Sequence, residues 1–548
     1  MSTVKKMMVT EKLFCADADT ALYLDAVVPR GTERQYRAVP SRSTLKDIFD
    51  RMEKKLGMSL WILLFLFIWS FPGNAAQPHT DRTIKVRGDF IVATTNDNYI
   101  CATLDWWPAE KCNYNQCPWG DSSVLNLDIN HPFLASAIKA FTRLRIRIGG
   151  TLQDRVVYGM PNLGYPCLPF VKMVDGLFGF SKGCLSLKRW NELNTLFQQT
   201  GAVVTFGLNA LRGRHNIRHG VWGGAWNLTN ARDFIGYTIS KGFPVDSWEF
   251  GNELSGQGVG ACVDAEVYGQ DLIGLKAVID ELYHNSTSKP LLLAPGGFFD
   301  KQWYTQLLQT SGPGVVDGIT HHIYNLGRGA YLDMAYGWDN NYDRKYLDQL
   351  GMASKFNTKT YCRQSLVGGN YGLLDTETFI PNPDYYSALL WHRLMGKVVL
   401  SVDNNGSSFL RAYAHCAKEK AGVSLVLINL NNTEFRITVQ KVMKNKMNED
   451  YETKNNGSLS DGLKKKAYLI GMEAPSSSIK REEYHLTAKD GNHRSRTMLL
   501  NGRTLELSED GQIPDLVPSY VYSNSPIIVA PLSIVFVVIP NFDAEACS

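Results

Sequence analysis

Short apolar runs alternate with helix-spaced apolar positions through the middle of the chain, from about residue 97 to residue 392. Helical spacing is found in Lys188–Gln199, Asp264–Tyr283 and Tyr346–Ser354. The strand-like runs are Tyr99–Leu104, Leu144–Ile148, Ala202–Leu208, Ser247–Phe250, Leu291–Ala294, Val315–Ile323 and Thr358–Tyr361. This alternation predicts a parallel sheet covered by helices, which closes as a (β/α)8 barrel at roughly 250–300 residues. We therefore predict an α/β fold with a TIM-type barrel over residues 97–392.

The pattern is one strand short of the eight that such a barrel uses. After the run that ends near Tyr324, only the 21 residues Asn325–Lys345 precede the helix-like Tyr346–Ser354. A barrel repeat takes roughly 30 residues, so this stretch is too short for a helix, a strand and two loops. It also lacks a clear alternation of apolar and polar residues. We expect the barrel to lack one βα unit at this place.

The sequence pattern changes from about residue 393 onward, where short strand-like runs are separated by turns rich in Asn, Gly, Asp and Ser. These runs are Val423–Asn429, Glu434–Val439, Thr497–Leu500 and Ile534–Ile539. The pattern predicts an all-β sandwich domain over residues 393–548. Thr83–Ala93, within the N-terminal segment 77–96, is also strand-like, and we expect it to pair with this domain.

One strongly apolar segment, Leu60–Phe71, lies near the start of the chain. It is shorter than the roughly 18–20 residues that a transmembrane helix needs. Two lysines precede it and small residues follow it, which is typical of a secretory signal peptide, here residues 58–76. Residues 1–57 would then be an over-extended gene model. The alternative that stays open is a signal anchor that holds the protein on a membrane.

Cysteines and glycosylation sequons agree with secretion. The chain has ten cysteines, and we expect Cys416 to pair with Cys547, because that link would tie the last strand to its domain. The candidate glycan acceptors are Asn227, Asn285, Asn405, Asn431 and Asn456. We expect the protein outside the cell or in the cell wall, or in a lysosome- or vacuole-like compartment with peripheral membrane association.

Charge and motifs exclude several classes of function. A formal net charge of +4 over 548 residues argues against a nucleic-acid-binding protein, which would show a concentrated basic face. The sequence shows no convincing metal cluster, P-loop or dinucleotide fingerprint. We therefore expect no metal and no cofactor.

The sharpest local signal for chemistry is Trp248–Glu253, which ends an apolar strand and precedes a glycine-rich loop. Barrel enzymes place their catalytic groups at this end of a strand. A carboxyl in a partly desolvated pocket keeps its proton more readily and can donate it to a leaving oxygen, which is the role we predict for Glu253. Asn252 could hold a sugar hydroxyl. The alternative is that Glu253 caps a helix or forms an ion pair at the barrel rim.

Seven stretches of the chain together resemble one family. They are Cys101–Pro108, Leu144–Thr151, Ser247–Glu253, Thr320–Tyr324, Tyr346–Ser354, Tyr361–Tyr371 and Arg481–Asp490. In these stretches the chain resembles the plant heparanase-like glycoside hydrolases, relatives of animal heparanase and of β-glucuronidases. The resemblance implies a retaining barrel enzyme with a β-sandwich domain, acting on glycans that contain β-linked glucuronic acid.

The resemblance also implies site residues. Glu253 matches the acid/base of the family. The residues at the positions where the family lines its sugar-binding cleft are Asp105, Thr151, His322, Gln364, Gly369 and Tyr371. Each has a structural alternative, such as a packed core histidine for His322. The strand-borne arginines could meet a uronate carboxylate or form ion pairs inside the barrel, and we favour ion pairs for Arg143, Arg145 and Arg147.

The chain departs from the family at the catalytic nucleophile. Retaining hydrolysis needs a second carboxylate about 5–5.5 Å from the first, and the family supplies a Glu followed by Gly-Gly-Ala-Tyr. No Glu occurs between Tyr283 and Glu377, and Gly329–Tyr331 is at best a remnant of that motif. The acids of the short segment, none of which follows a strand-like run, are Asp333, Asp339 and Asp343. We expect an inactive or impaired hydrolase, with a glycan-binding pseudo-enzyme and a poorly folding splice product as alternatives.

Overall fold

The computed structural model describes residues 79–112, 116–323, 341–442 and 479–548. The predicted signal peptide 58–76, the segment 1–57 and Asn456 lie outside these residues. From His79 onward the described residues belong to one compact unit. Among the helices of this described part, none combines the length and the apolarity that crossing a bilayer requires.

Seven parallel strands form the sheet that carries the site. In spatial order they are Gly318–His322, Leu291–Phe298, Ser247–Phe250, Val203–Leu208, Arg145–Ile148, Ile100–Leu104 and Tyr361–Arg363. Each corresponds to one of the seven runs predicted from the sequence. The last strand in the chain pairs with the first, as in a barrel, and this confirms the TIM-type fold.

The two strands at the ends of this order, Gly318–His322 and Tyr361–Arg363, are called the edge strands below. No described strand lies between them. The chain that connects them includes residues 324–340, which are outside the described part, and the helix Asn341–Lys355. The predicted shortage of one βα unit therefore falls between the edge strands.

Burial explains the sequence pattern of the strands. Every residue of Ile100–Leu104 and of Val203–Leu208 is buried, because helices cover the outer face of the sheet and side chains fill its interior. Such strands appear as continuous apolar runs rather than as alternating ones. This explains why the sequence located the inner strands, whereas no residue of the edge strands Gly318–His322 and Tyr361–Arg363 is fully buried.

Among the described residues, seven helices accompany the sheet: Pro132–Lys139, Leu187–Thr200, Thr229–Ser240, Ala265–Leu282, Lys301–Ser311, Asn341–Lys355 and Pro383–Leu394. The helical spacing in the sequence had indicated three of them. Leu187–Thr200 shows why they form. The Ser186 hydroxyl accepts the Arg189 N–H at its start, Gly201 ends it with a φ of 69°, and Trp190 is on its buried face.

Two small sheets accompany the main one. Val156–Gly159 pairs with Gly183–Ser186. The second small sheet orders its strands as Cys262–Val263, Val221–Gly223 and His215–Arg218. Both belong to connections between the main strands, which is where barrel enzymes accommodate insertions.

Eleven strands form the second sheet. In spatial order ten of them are Arg503–Thr504, Met498–Leu500, Lys480–Ala488, Ile534–Pro540, Gly422–Asn429, Leu410–Ala417, Met395–Asp403, His79–Thr94, Glu434–Val442 and Ile527–Val529, and Ser519–Tyr522 pairs with Lys480–Ala488. Hydrogen bonds join them in one continuous sheet. The sheet curls, because Leu425 and Val537 share an apolar core with Ile437 and Ile527. An all-β domain is thus confirmed, with both of its layers drawn from a single sheet.

The N-terminal strand His79–Thr94 is central to this second sheet. It runs antiparallel to Met395–Asp403 and parallel to Glu434–Val442. The strand predicted at Thr83–Ala93 therefore lies inside the C-terminal domain, as the sequence indicated.

Four disulfides connect described residues: Cys101–Cys362, Cys112–Cys117, Cys167–Cys184 and Cys416–Cys547. The last of them is the pair expected from the sequence. Cys101–Cys362 joins two neighbouring parallel strands at positions that are paired in register. It thereby ties one edge strand, which has a described neighbour on one side only, to the first strand of the sheet.

We predict that replacing both Cys101 and Cys362 by Ser lowers the free energy of unfolding more than replacing Cys112 and Cys117 by Ser. The two links span sequence separations of 261 and 5 residues. In the chain-entropy model the losses are about 5.5 and about 2 kcal/mol. Urea-induced unfolding of the oxidised variants measures both values. Equal losses would contradict an edge strand held by its disulfide.

Candidate active site

Glu253 lies just beyond the end of the strand Ser247–Phe250, with 6% of its surface exposed. Its backbone φ of 55° falls in the left-handed region, which non-glycine residues seldom adopt without support. Its N–H donates to the Gly296 carbonyl at 2.8 Å. Its Oε1 is hydrogen-bonded to His322 Nδ1 at 2.9 Å. The carboxyl is therefore held in one place by its own backbone and by an imidazole from an edge strand.

Asn252, which precedes it, is fixed at both ends. Its backbone N–H donates to Asp154 Oδ2 at 2.8 Å. Its side-chain oxygen accepts a hydrogen bond from Arg147 Nη2 at 2.9 Å. Because the oxygen is engaged by a cation, the orientation of the amide is determined.

Asp154 was missed by the sequence reasoning. It lies on the short 3-10 helix Thr151–Arg155 and accepts the backbone N–H groups of Ala210 and Asn252. Burial raises its pKa to about 7, against the lowering effect of those two hydrogen bonds. Asp154 thereby connects the loops that follow the strands Val203–Leu208 and Ser247–Phe250. An acid three residues after the predicted cleft residue Thr151 was the signal that could have found it.

Arg145 and Arg147 form ion pairs inside the barrel, as we favoured from the sequence, whereas the same expectation for Arg143 was wrong. Arg147 Nε contacts Glu249 Oε2 at 2.5 Å, with both side chains buried. Arg145 Nη1 contacts Asp246 Oδ2 at 2.6 Å. Arg143 precedes the strand and is exposed. Arg145 and Arg147 are thus engaged in ion pairs with Asp246 and Glu249.

Asp105 follows the first strand of the sheet and is buried. It accepts the Trp106 N–H at 2.7 Å and a hydrogen bond from Gln364 Nε2 at 3.2 Å. Burial raises its pKa to about 7, opposed by those two hydrogen bonds and by the charge of Arg147. Gly150 makes room for it, since a Cβ there would lie 2.5 Å from Asp105 Oδ2.

These side chains surround one cavity of about 670 Å³. Of the residues predicted from the sequence it is lined by Asp105, Thr151, Asn252, Glu253, His322, Gln364 and Tyr371. Gly369 is not among the lining residues, but its left-handed backbone lies against the Tyr371 ring. The volume is typical of pockets that enclose a small ligand. The fold therefore brings together side chains that are up to 266 positions apart, Asp105 and Tyr371 being the most distant pair.

Four carboxyl groups line the cavity: Asp105, Glu249, Glu253 and Asp348. Glu249 is neutralised by Arg147. Asp348 accepts the Tyr413 hydroxyl at 2.5 Å and contacts Arg411 at 3.3 Å. Asp333 and Asp339 lie outside the described residues, as does the side chain of Asp343. Within the described part, no group of three potential ligands is arranged to hold a metal ion.

The glycosylation sequons lie mostly on the surface. Asn227, Asn285 and Asn405 are exposed, and Asn431 is half-buried. Three of the four described acceptor asparagines are therefore accessible to solvent, as the attachment of a glycan requires.

We predict that Arg147→Met destabilises the fold more than Arg145→Met. The first change leaves Glu249 buried and unpaired, which costs about 3–5 kcal/mol. The second frees Asp246, which is 38% exposed and can be hydrated. Chemical denaturation of the two variants measures the difference, and a larger loss for Arg145→Met would refute the central role of the inner pair.

We predict a pH dependence of stability that involves Asp105. Its pKa is raised from 3.8 in the unfolded chain to about 7 in the folded one, so the folded state binds the proton more tightly. Its contribution to stability is present below 3.8 and is lost as the pH rises through about 7. Asp105→Asn should flatten the fall in melting temperature over this range. An unchanged slope would contradict the raised pKa.

Comparison with known proteins identifies the relatives of this chain. Residues 81–364 match the model "Glycosyl hydrolase family 79, N-terminal domain". The chain is 53% identical to Heparanase-like protein 1 of Arabidopsis thaliana over 522 residues, covering 86% of this chain and 96% of that protein. It is 37% identical to Baicalin-beta-D-glucuronidase of Scutellaria baicalensis over 512 residues, covering 82% and 90%.

Two further results concern the fold and the length. The structure of the GH51 α-L-arabinofuranosidase from Thermotoga petrophila matches with a TM-score of 0.52 at 14% identity, covering 84% of this chain and 100% of that one. This likeness supports the barrel fold alone. In the alignment with the Arabidopsis relative, 86% of 548 residues is about 470, so about 50 of the 522 aligned positions have no counterpart here. From the matched model and these relatives, the chain belongs to glycosyl hydrolase family 79.

Proposed function

We propose that this chain derives from a secreted β-glucuronidase of the heparanase-like type, with Glu253 as acid/base, and that its hydrolysis is impaired. The observation that carries the proposal is the Glu253 carboxyl in the cavity, hydrogen-bonded to His322 at 2.9 Å. Membership of glycosyl hydrolase family 79 supports a glycosidase. The glucuronide specificity is proposed from the names of the relatives and from the cleft residues that the resemblance assigned.

The acid step follows from the geometry of Glu253. A carboxyl held beside the glycosidic oxygen donates its proton as the bond to the sugar breaks. The resulting carboxylate accepts a hydrogen bond from the His322 imidazole, which stabilises the charge of a largely buried side chain. Asn252, fixed by Arg147 and Asp154, presents its amide beside the acid. This arrangement suits a group that binds a sugar hydroxyl.

The nucleophilic step lacks an identified residue. A retaining enzyme needs a carboxylate on the opposite face of the sugar. In this chain no Glu lies between Tyr283 and Glu377, the segment where the family carries it. The edge strands have no described strand between them, and about 50 positions of the Arabidopsis relative have no counterpart. These three observations support the loss of one βα unit together with its nucleophile.

The substrate and location are proposed together. Relatives are named for heparanase and for a glucuronide, which supports a glycan or small glucuronide with a terminal or internal glucuronic acid. Four disulfides and three exposed sequons support an oxidising compartment, either the cell wall or a vacuole-like lumen. Peripheral membrane association remains a prediction from the sequence.

A second candidate is a pseudo-enzyme that binds acidic glycans without cleaving them. The observation in its favour is that the cavity is formed and lined although the opposing carboxylate is not identified. A poorly folding splice product is the third possibility. It is supported by the exposure of Ile319 and Ile323 beside one edge strand, which are 44% and 49% exposed.

The decisive experiment compares the hydrolysis rate of this chain with that of a version into which a βα unit has been inserted. We predict that this chain binds 4-methylumbelliferyl β-D-glucuronide but hydrolyses it at least about a thousandfold more slowly than a version in which the relative's segment replaces 325–345. The same insertion with its nucleophile Glu changed to Gln should behave like the parent. Fluorescence of the released product measures the rates.

Each alternative predicts a different result in this assay. A parent rate equal to that of the restored chain would disprove the impairment. Binding that survives in Glu253→Gln, with no activity in any version, would favour the pseudo-enzyme. Absence of folded protein in the culture medium would favour the splice product.

A further inference from the structure

A disulfide-closed hairpin at residues 165–184 lies in the connection that follows the strand Arg145–Ile148, and we call it the apolar hairpin. Backbone hydrogen bonds join its two arms. At the base, the Cys184 N–H donates to the Leu168 carbonyl at 2.8 Å, and Cys184 is also disulfide-bonded to Cys167. The conformation of the apolar hairpin is therefore fixed by bonds within it.

Two phenylalanines attach the apolar hairpin to the rest of the protein. Phe170 and Phe180 are buried, and the Phe180 ring lies 5.9 Å from the ring of Trp107, measured between centroids. Gly183 allows Phe170 to pack closely, because a Cβ at Gly183 would lie 2.6 Å from the Phe170 ring. The inner side of the hairpin is thus packed by these two rings.

Five large apolar side chains of the same hairpin face solvent instead. They are Tyr165, Leu168, Val171, Met173 and Val174, which are 49%, 61%, 60%, 49% and 98% exposed. Val174 lies at the turn and is exposed almost completely. Leaving so many apolar groups of one short segment in water is unfavourable, and clusters of this kind mark interaction surfaces.

The exposed side chains are presented by a stiff backbone. Pro166 and Pro169 restrict the arm that leads to the turn, and the disulfide closes the base. A partner therefore meets these side chains without a large further loss of chain entropy. Such preorganisation favours binding.

The charged residues of the apolar hairpin favour an anionic surface. Lys172 and Lys182 are exposed, and Asp175 is the single acid of the segment 165–184. Two lysines less one aspartate leave a formal charge of +1 on this segment. A lysine can lay its methylene stem along apolar surface while its ammonium group extends to a phosphate.

We propose that the apolar hairpin docks the protein on the surface of an anionic bilayer. The side chains around Val174 enter the boundary between the headgroups and the acyl chains, and Lys172 and Lys182 contact lipid phosphates. This inference goes beyond the proposed function and does not depend on hydrolysis. It gives the peripheral membrane association predicted from the sequence a defined surface.

Other occupants fit this surface less well. A stable protein–protein interface buries about 800 Å² per partner with roughly 20–30 residues a side, which is more than one hairpin offers. A glycan presents hydroxyl groups, whereas four of the five exposed side chains have no hydrogen-bonding N or O atom. A bilayer takes up individual side chains at its boundary, where tyrosine is favoured as well.

Docking by the apolar hairpin would bring the cavity close to the bilayer. The hairpin and Glu253 both follow the carboxyl ends of barrel strands. Phe178 of the hairpin lies against Gly260 of the loop after Glu253, where a Cβ would be 3.2 Å from the Phe178 ring. Glucuronides carried by membrane-bound molecules would then be presented to the site. This consequence rests on the proposed function, whereas docking itself does not.

The test is flotation of the whole chain with vesicles of phosphatidylcholine that contain about 30% phosphatidylserine. We expect the parent to bind, and Val174→Asp to bind at least about tenfold more weakly, because a carboxylate is excluded from the apolar boundary. Val517→Asp is the matched control, since Val517 is 51% exposed in the C-terminal domain, and it should bind as the parent does. Any binding through Leu60–Phe71 is common to all three proteins and cancels in the comparison.

Two results of the flotation experiment would overturn the proposal. One is equal binding by Val174→Asp and the parent, and the other is a folded parent that does not bind. Melting temperatures equal to that of the parent should confirm that both Asp variants are folded, since each replaces an exposed side chain. No glucuronide is present, so failure of docking and failure of hydrolysis are distinguishable.

A second variant tests the ionic contacts. Lys172→Gln combined with Lys182→Gln should weaken binding to the anionic vesicles at least about fivefold. Binding to vesicles of pure phosphatidylcholine should stay unchanged. An equal loss on both kinds of vesicle would contradict lysine–phosphate contacts.

A third comparison distinguishes a bilayer from a second copy of the chain. Brominated phosphatidylcholine should quench the added fluorescence of Val174→Trp and leave that of Val517→Trp unquenched. Sedimentation velocity without lipid should give the same mass for the parent and Val174→Asp. A parent dimer that Val174→Asp dissociates would assign the hairpin to a second copy and overturn membrane docking.

Discussion

The ion pair between Arg147 and Glu249, at 2.5 Å inside the barrel, is the interaction on which the site depends. Removing two charges from water is unfavourable unless the pair is close and its remaining hydrogen-bonding groups are satisfied. Here the second arm of the guanidinium reaches Asn252. The requirement fixes the strands Arg145–Ile148 and Ser247–Phe250 relative to each other across Val203–Leu208. The position of Glu253 is restrained as well, because Glu253 follows Asn252 directly in the chain.

A second constraint limits what this fixed acid can accomplish. In the proposed function, protonation by Glu253 would help the leaving oxygen to depart, but it would supply no electron pair to the anomeric carbon. A retaining enzyme of this family obtains that pair from a carboxylate on the opposite face. In the described part of this chain the two edge strands border the cavity, and neither of them carries a carboxylate. The proposed acid is thus held in a defined position, whereas no residue is identified for the nucleophilic step.

Much of the barrel could be predicted from the sequence because burial on both faces leaves a strong signal. All seven described parallel strands were predicted, although the two edge strands have no fully buried residue. The absence of an eighth strand stays a prediction from the length of the intervening segment. The second domain was harder. Met395–Asp403 and Leu410–Ala417 mix polar and apolar residues and contain no clear turn signal, so their pairing with His79–Thr94 and Gly422–Asn429 depends on contacts between distant residues.

The site was predictable where a motif carried it and not where distant residues meet. Glu253 and Asn252 stood out because they end a strand, and the resemblance to the family indicated the cleft residues. The hydrogen bond from the Asn252 N–H to Asp154 spans 98 positions and leaves no trace in local sequence. The pKa values of Asp105 and Asp154 depend on burial that only the folded chain creates.

The central proposal is that Glu253 is a catalytic acid and that the described residues supply no opposing nucleophile. The most direct measurement is the intact mass of the chain after incubation with 2-deoxy-2-fluoro-β-D-glucuronosyl fluoride, which traps the nucleophile of a retaining glycosidase as a covalent adduct. We expect no added mass on this chain, whereas the chain with a restored βα unit should gain one fluoroglucuronosyl group. A stoichiometric adduct on the parent chain, at Asp105 or at any other carboxylate, would contradict it.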